Sequence, residues 1–199
     1  MSEVAAAVEA IRGGRLAIVP TDTVYGLAAS PHSELPVRRL YEAKGREGVQ
    51  PTALVATGVE LLFECLPELP ERERRIVRAL LPGPYTLVLA NPAERFVWLT
   101  GSRPESIGVR VPLLTGPGGE LLARVGAFAA TSANLPGGPD PRTLAEVPDR
   151  LKASAALVDG GELPGTPSTV IDLTGLEPVV LREGAASGAD ALRIVASVI

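Results

Sequence analysis

The stretch PTDTVYGLAAS (20–30) follows an apolar run and crowds Thr21, Asp22, Thr23 and Tyr25 together, giving three hydroxyl groups and a carboxylate. Three more patches share the pattern. Lys44-Gly45-Arg46 closes a helical stretch, Thr131 to Asn134 (TSAN) closes an apolar one, and Ser168 and Thr169 open PSTVIDL. Arg110 and Arg182 sit within or just after the apolar runs GVRVP and VVLREG. Cations mixed with neutral hydrogen-bonding groups suit a ligand that bears phosphate and carboxylate, where Arg binds bidentately and Lys acts as a point charge. Each patch alone also has a plain reading. Thr and Asp cap turns, a basic helix end matches the macrodipole, and Ser and Asn at 132–134 form an Asx-type turn. Arg110 alternates with Ile107, Val109 and Val111, so it points with Gly108 and Pro112 away from the apolar face, which simple solvent exposure would also satisfy.

Several chemistries are excluded. The phosphate-binding patterns GxxxxGK[ST] and GxGxxG are absent, and the one histidine, His32, gives no Ser-His-Asp triad. A single cysteine, Cys65, allows no internal disulfide and fits a reducing cytoplasm; one His with one Cys counts against zinc, so no metal ligand is assigned. The net charge of −4 over 199 residues argues against a general nucleic-acid binder. RERRIVR (72–78) reads as a solvated helix face with interleaved Glu. No apolar run approaches ~20 residues, so no membrane span is expected, and MSEVAAAVEAIRGG reads as a helix rather than a signal peptide.

The elements that must position these groups follow from periodicity and breakers. Helices are expected at 3–12, 35–44, 59–66, 71–81, 118–126, 142–151 and 189–198. Strands are expected at 15–20, 52–56, 85–90, 106–112 and 127–133, with three more in AALVDGG, STVIDLTG and PVVLREG, the last two joined by a turn near Gly175. The interleaving predicts an α/β (α+β) fold, a single domain over 1–199 built on a mixed sheet. NLPGGPDP (134–141) reads as a loop within it.

Taken in order, PTDTVYGLAAS, YEAKGRE, PTALVA, LLPGPYTLVL, GVRVP, ATSANLPGG, GTPSTVIDLTG and VVLREGA resemble the YrdC family, the TsaC-type threonylcarbamoyl-AMP synthases, over nearly the whole chain. Both family signatures, KxR (Lys44, Arg46) and SxN (Ser132, Asn134), are present. The resemblance implies one YrdC-like domain, a twisted sheet with a large, positively lined concave cavity, in a short form without the extra C-terminal domain of longer members. It implies a cytoplasmic nucleotidyltransferase that joins L-threonine, bicarbonate or CO2, and ATP, usually with Mg2+, into L-threonylcarbamoyladenylate and pyrophosphate. A downstream tRNA threonylcarbamoyl transferase complex then uses the product to make t6A; direct tRNA binding is expected to be weak. By matching positions, Lys44 and Arg46 take phosphate and carbamate charge, with Asn134 and Arg182 also on the nucleotide. Thr23, Arg110, Ser132 and Ser168 hold threonine, and Thr21 and Tyr25 wall the cavity. Three positions depart from the family pattern. Glu47 stands where Pro is usual, Gln50 where Lys or Asn is usual, and Glu183 where LRPGA has Pro; an anion gained and a cation lost should weaken ATP binding. The alternative is a relative without synthase activity that acts as an RNA-binding or small-molecule-binding module.

Overall fold

The computed structural model describes residues 2–45 and 50–199. Helix α1 (Glu3–Arg12) starts where the Ser2 hydroxyl accepts the Ala5 N–H, and its Val4, Ala7, Val8 and Ile11 form one buried stripe. Strands β1 (Leu16–Pro20) and β2 (Tyr25–Ala29) then form an antiparallel hairpin, with Pro20 opposite Tyr25 and Ala17 opposite Ala28. PTDTVYGLAAS is therefore a turn followed by a second strand, which the sequence reading missed. Thr21 locks the turn: its Oγ1 accepts the N–H groups of Thr23 and Val24, each at 3.2 Å, and donates to the Val24 carbonyl at 2.7 Å.

The other strands are β3 (Ala53–Ala56), β4 (Tyr85–Ala90), β5 (Ser106–Arg110), β6 (Ala127–Ser132), β7 (Ala155–Leu157), β8 (Thr169–Asp172) and β9 (Val179–Arg182). They join one sheet in the order β7-β1-β2-β6-β3-β5-β4-β8-β9. The pairs β1/β7, β3/β5 and β4/β8 are parallel and the rest antiparallel, so the sheet is mixed, as expected. The helices are α2 (Glu34–Lys44), α3 (Val59–Cys65), α4 (Glu71–Leu80), α5 (Gly116–Val125), α6 (Asp149–Lys152) and α7 (Gly188–Val198). The helix expected over 142–151 is instead a 3-10 turn at Leu144–Glu146 and the single turn of α6; Pro148, which has no N–H to give, separates them. No helix among the described residues is long and apolar enough to cross a membrane.

The two faces of the sheet are covered unequally. On one face, Leu54, Val109, Leu87 and Ile171 stand in register across β3, β5, β4 and β8, all fully buried. They share a core with residues of α2, α3, α4 and α7, among them Leu40, Leu62, Ile76 and Val195. On the other face, α1 and α5 pack Val8, Ile11, Leu121 and Leu122 onto Ala17, Val19, Ala28, Val55 and Phe128. The approach of α5 to β1 is close: a Cβ on Gly118 would lie 2.3 Å from the Pro20 carbonyl oxygen. These two helices meet β7, β1 and β6. Beyond them the same face carries Ala53, Thr86, Val88, Gly108, Arg110 and Val170, and there it is the floor of a cavity.

Candidate active site

The cavity has a volume of about 420 Å³, within the usual range of small-molecule sites, roughly 300–1,000 Å³. Its floor follows from strand alternation: in β4 and β5, Leu87, Leu89, Ile107 and Val109 enter the core while Thr86, Val88, Gly108 and Arg110 face the opening. It runs along β5 from Ser106 to Arg110, a span of roughly 13 Å at the usual strand rise.

Arg110 anchors one end. Its Nη2 donates to the Asp22 carboxylate and, at 2.9 Å, to Thr23 Oγ1, and Asp22 also accepts the Leu113 N–H at 3.2 Å. Burial is the largest influence on both charged groups. It raises the Asp22 carboxyl above its usual range, with Arg110 pulling it back, and it disfavours the charge on Arg110, with Asp22 restoring it and Arg182 adding repulsion. Arg110 Nε is buried without a hydrogen-bond partner among the described residues, as is Thr52 Oγ1, also on the wall. Both residues line the cavity, and each carries a buried polar atom that lacks the partner such groups ordinarily have.

Arg182 and Ser168 form the wall on the β8–β9 side. The guanidinium clasps the Ser168 carbonyl through Nη2 at 2.8 Å and Nε at 3.2 Å, and Ser168 Oγ lies 2.7 Å from Thr86 Oγ1. Thr169 turns the other way, its Oγ1 accepting the N–H groups of Gly184 and Ala186. Gly184 has no room for a side chain, since a Cβ there would stand 2.2 Å from the Pro167 carbonyl oxygen. Glu183 does not face the cavity; its carboxylate accepts the Gly188 N–H at 3.0 Å at the start of α7. The departure at this position thus has a structural use as a helix cap.

Of the residues expected at the site, Thr21, Thr23, Arg110, Ser132, Ser168 and Arg182 line the cavity. Three do not. Tyr25, expected as a wall, is fully buried below the floor; its hydroxyl accepts the Gly160 N–H at 2.9 Å and lies 2.8 Å from the Gly161 carbonyl and 3.0 Å from Asp159 Oδ1. Lys44, expected on phosphate, is 1% exposed and stands behind the wall. Its Nζ donates to the Ser132 carbonyl at 2.5 Å and to Asn134 Oδ1 at 3.0 Å. Asn134, expected on the nucleotide, is spent on this network: Oδ1 also accepts from Ser132 Oγ at 2.8 Å, and Nδ2 donates to the Gly138 carbonyl at 2.8 Å and Asp140 Oδ1 at 3.2 Å. Arg46 and Glu47 lie outside the described residues. Sequence reasoning missed Thr52, Thr86, Asp140 and the segment from Thr100 to Ser106, which supplies Thr100, Ser102 and Arg103 to the far end. The hydroxyl-rich run LTGSRPES was the available signal.

A mixed sheet, open on part of one face, with an arginine- and hydroxyl-lined cavity there defines an α/β protein with a polar, cation-bearing pocket. Comparison with known proteins narrows that class. The Sua5/YciO/YrdC family model, described as "Telomere recombination", matches residues 9–184, and the chain belongs to this family. It is 38% identical over 178 residues to the threonylcarbamoyl-AMP synthase of Pyrococcus abyssi, of which it spans about half (52%). It is 36% identical over 182 residues to the threonylcarbamoyl-AMP synthase of Escherichia coli O1:K1, spanning 92% of that protein and 86% of this chain. The crystal structure of P. abyssi Sua5 complexed with L-threonine superposes with a TM-score of 0.88 at 33% identity, over 100% of this chain and 59% of that one.

Proposed function

We propose that this chain condenses L-threonine, bicarbonate or CO2, and ATP into L-threonylcarbamoyladenylate, releasing pyrophosphate. The observation that carries the reading is a cavity lined by three arginines, Arg103, Arg110 and Arg182, together with the hydroxyls of Thr23, Ser132 and Ser168. The relatives named as threonylcarbamoyl-AMP synthases, one of which is matched along almost its full length, point the same way. The threonine amine takes up CO2 to give a carbamate; a carbamate oxygen forms a bond to the α-phosphorus as the bond to pyrophosphate breaks. The carbamate and the triphosphate are both anionic, so in that step the protein's task is to hold like charges together and stabilise the charge that develops.

Arg110 would receive the threonine carboxylate, with Thr23, Ser132 and Ser168 offering hydroxyls around it. Arg182 and Arg103, both exposed on the wall, would meet phosphate oxygens. Lys44 would act as a positioning residue, fixing Ser132 and Asn134 from behind, and Arg46 would supply a further cation. Among the described residues no cluster of three metal-ligating side chains occurs, and Asp140 is the only carboxylate on the cavity wall. The donor set therefore fits Mg2+ arriving with the triphosphate, held mainly by phosphate and water. The product would pass to a tRNA threonylcarbamoyl transferase.

The test is pyrophosphate release by the purified chain with ATP, Mg2+ and bicarbonate, with and without L-threonine. Release that requires threonine and falls at least ~100-fold in Arg110→Ala, the scale of removing one preorganised charge donor, is the expected result. ATP consumption that ignores threonine, or none at all, overturns the reading.

A further inference from the structure

Asp140 is out of keeping with its surroundings. Among the described residues lining the cavity, the arginines suit phosphate and carboxylate, whereas this carboxylate would repel both. It forms no ion pair with any described residue, whereas Arg103 and Arg110 on the same cavity, and Arg142 two residues on, have acidic partners of their own. Its position is nonetheless fixed. Oδ1 accepts from Asn134 Nδ2 at 3.2 Å, and Asn134 is itself held by Lys44. The carbonyl of the next residue, Pro141, accepts the Tyr25 N–H at 3.0 Å. That bond ties Asp140 to the same β1–β2 turn whose Thr23 hydroxyl receives Arg110. A held carboxylate and a guanidinium thus line one cavity, both braced against one hairpin turn.

An α-amino acid carries an ammonium and a carboxylate on one carbon, and a site with one fixed charge of each sign matches that pair. ATP, bicarbonate and the carbamate offer no cation. We propose that Asp140 receives the α-ammonium of the amino-acid substrate while the Arg110 guanidinium receives its carboxylate, so that Asp140 sets the preference for an amino acid over a hydroxy acid. The inference rests on the functional reading above and deepens it.

The experiment is calorimetric titration of the full chain without ATP or magnesium, so that no metal bridges to the carboxylate. The probes are L-threonine and (R)-3-hydroxybutyrate, which keeps the carboxylate and hydroxyl but lacks the amine. The wild type should bind threonine about tenfold or more tightly than the hydroxy acid, the usual worth of a charge-assisted hydrogen bond. In Asp140→Asn, threonine should weaken by that factor while the hydroxy acid binds as before or better. Asp140→Ser, which keeps an oxygen for Asn134, serves if the Asn variant fails to fold. A variant that retains the wild-type preference overturns the role of Asp140 and leaves the synthase reading standing. A wild type that binds no threonine overturns both.

Discussion

Arg110 on β5 and Asp22 in the β1–β2 turn lie 88 residues apart in sequence and form a direct ion pair, each side chain only 11% exposed. The pair joins β5 to the turn of a hairpin that is not its neighbour in the sheet, and holds the Arg110 guanidinium at the cavity. Asp22→Ala would leave the guanidinium without its carboxylate, with only Thr23 Oγ1 to accept from it, and the Leu113 N–H without its side-chain acceptor. Breaking one side of a buried pair costs about 3 kcal/mol or more, so the urea midpoint should drop markedly. Asp22→Asn, which keeps an oxygen for Arg110, should lose much less. Equal midpoints for Asp22→Ala and wild type would show that the pair contributes nothing to the fold.

Tyr25 gives a prediction in pH. Burial raises its phenol above the ordinary 10.0; the Asp159 carboxylate pushes the same way and the Gly160 N–H pulls back. The unfolded chain releases this proton near 10.0, while the folded one still holds it. The contribution to stability is therefore complete below 10.0 and is lost as pH rises through the folded-state value. Tyr25→Phe should be destabilised by about 1 kcal/mol at neutral pH, and its deficit should shrink as the pH passes 10.0. Chemical denaturation at a series of alkaline pH values measures this, and a constant deficit would refute it.

Glu183 should matter to α7 rather than to the ligand. Glu183→Ala removes the acceptor for the Gly188 N–H and should cost about 1 kcal/mol, as for a lost N-terminal cap, read as a lower melting temperature. ATP affinity should stay within about twofold of wild type, because the carboxylate does not line the cavity. A several-fold gain in ATP affinity would mean that its charge reaches the nucleotide after all.

The sequence revealed most of the sheet and helices because their periods were clear. Arg110 was legible for the same reason: its neighbours Ile107, Val109 and Val111 are all buried, so its own direction was settled. The β2 strand was not, since YGLAA is buried on both faces and shows no alternation, while the hydroxyls before it resembled a strand end. Lys44 carried a signal that went unused. It stands seven residues after Val37 and four after Leu40, on the buried stripe of α2, so its ammonium had to run inward. Asn134 and Asp140 were beyond reach, because their roles depend on a loop folding back onto the β1–β2 turn, which no local pattern records.

The alternation in β4 and β5 has a consequence for how such a chain can vary. Thr86 and Val88 of β4 and Ser106, Gly108 and Arg110 of β5 meet the ligand side, and Leu87, Leu89, Ile107 and Val109 the interior. Adding or deleting a single codon within either strand would exchange that strand's two sets, placing Leu87 and Leu89 in the cavity for β4, or turning Arg110 into the core for β5. Folding and recognition would be lost together, with no partial outcome. Replacement at Thr86 or Val88 escapes this, since it alters what the cavity recognises and leaves the interior untouched. The chain can therefore acquire a new ligand preference by substitution, whereas a change of length in these two strands is closed to it.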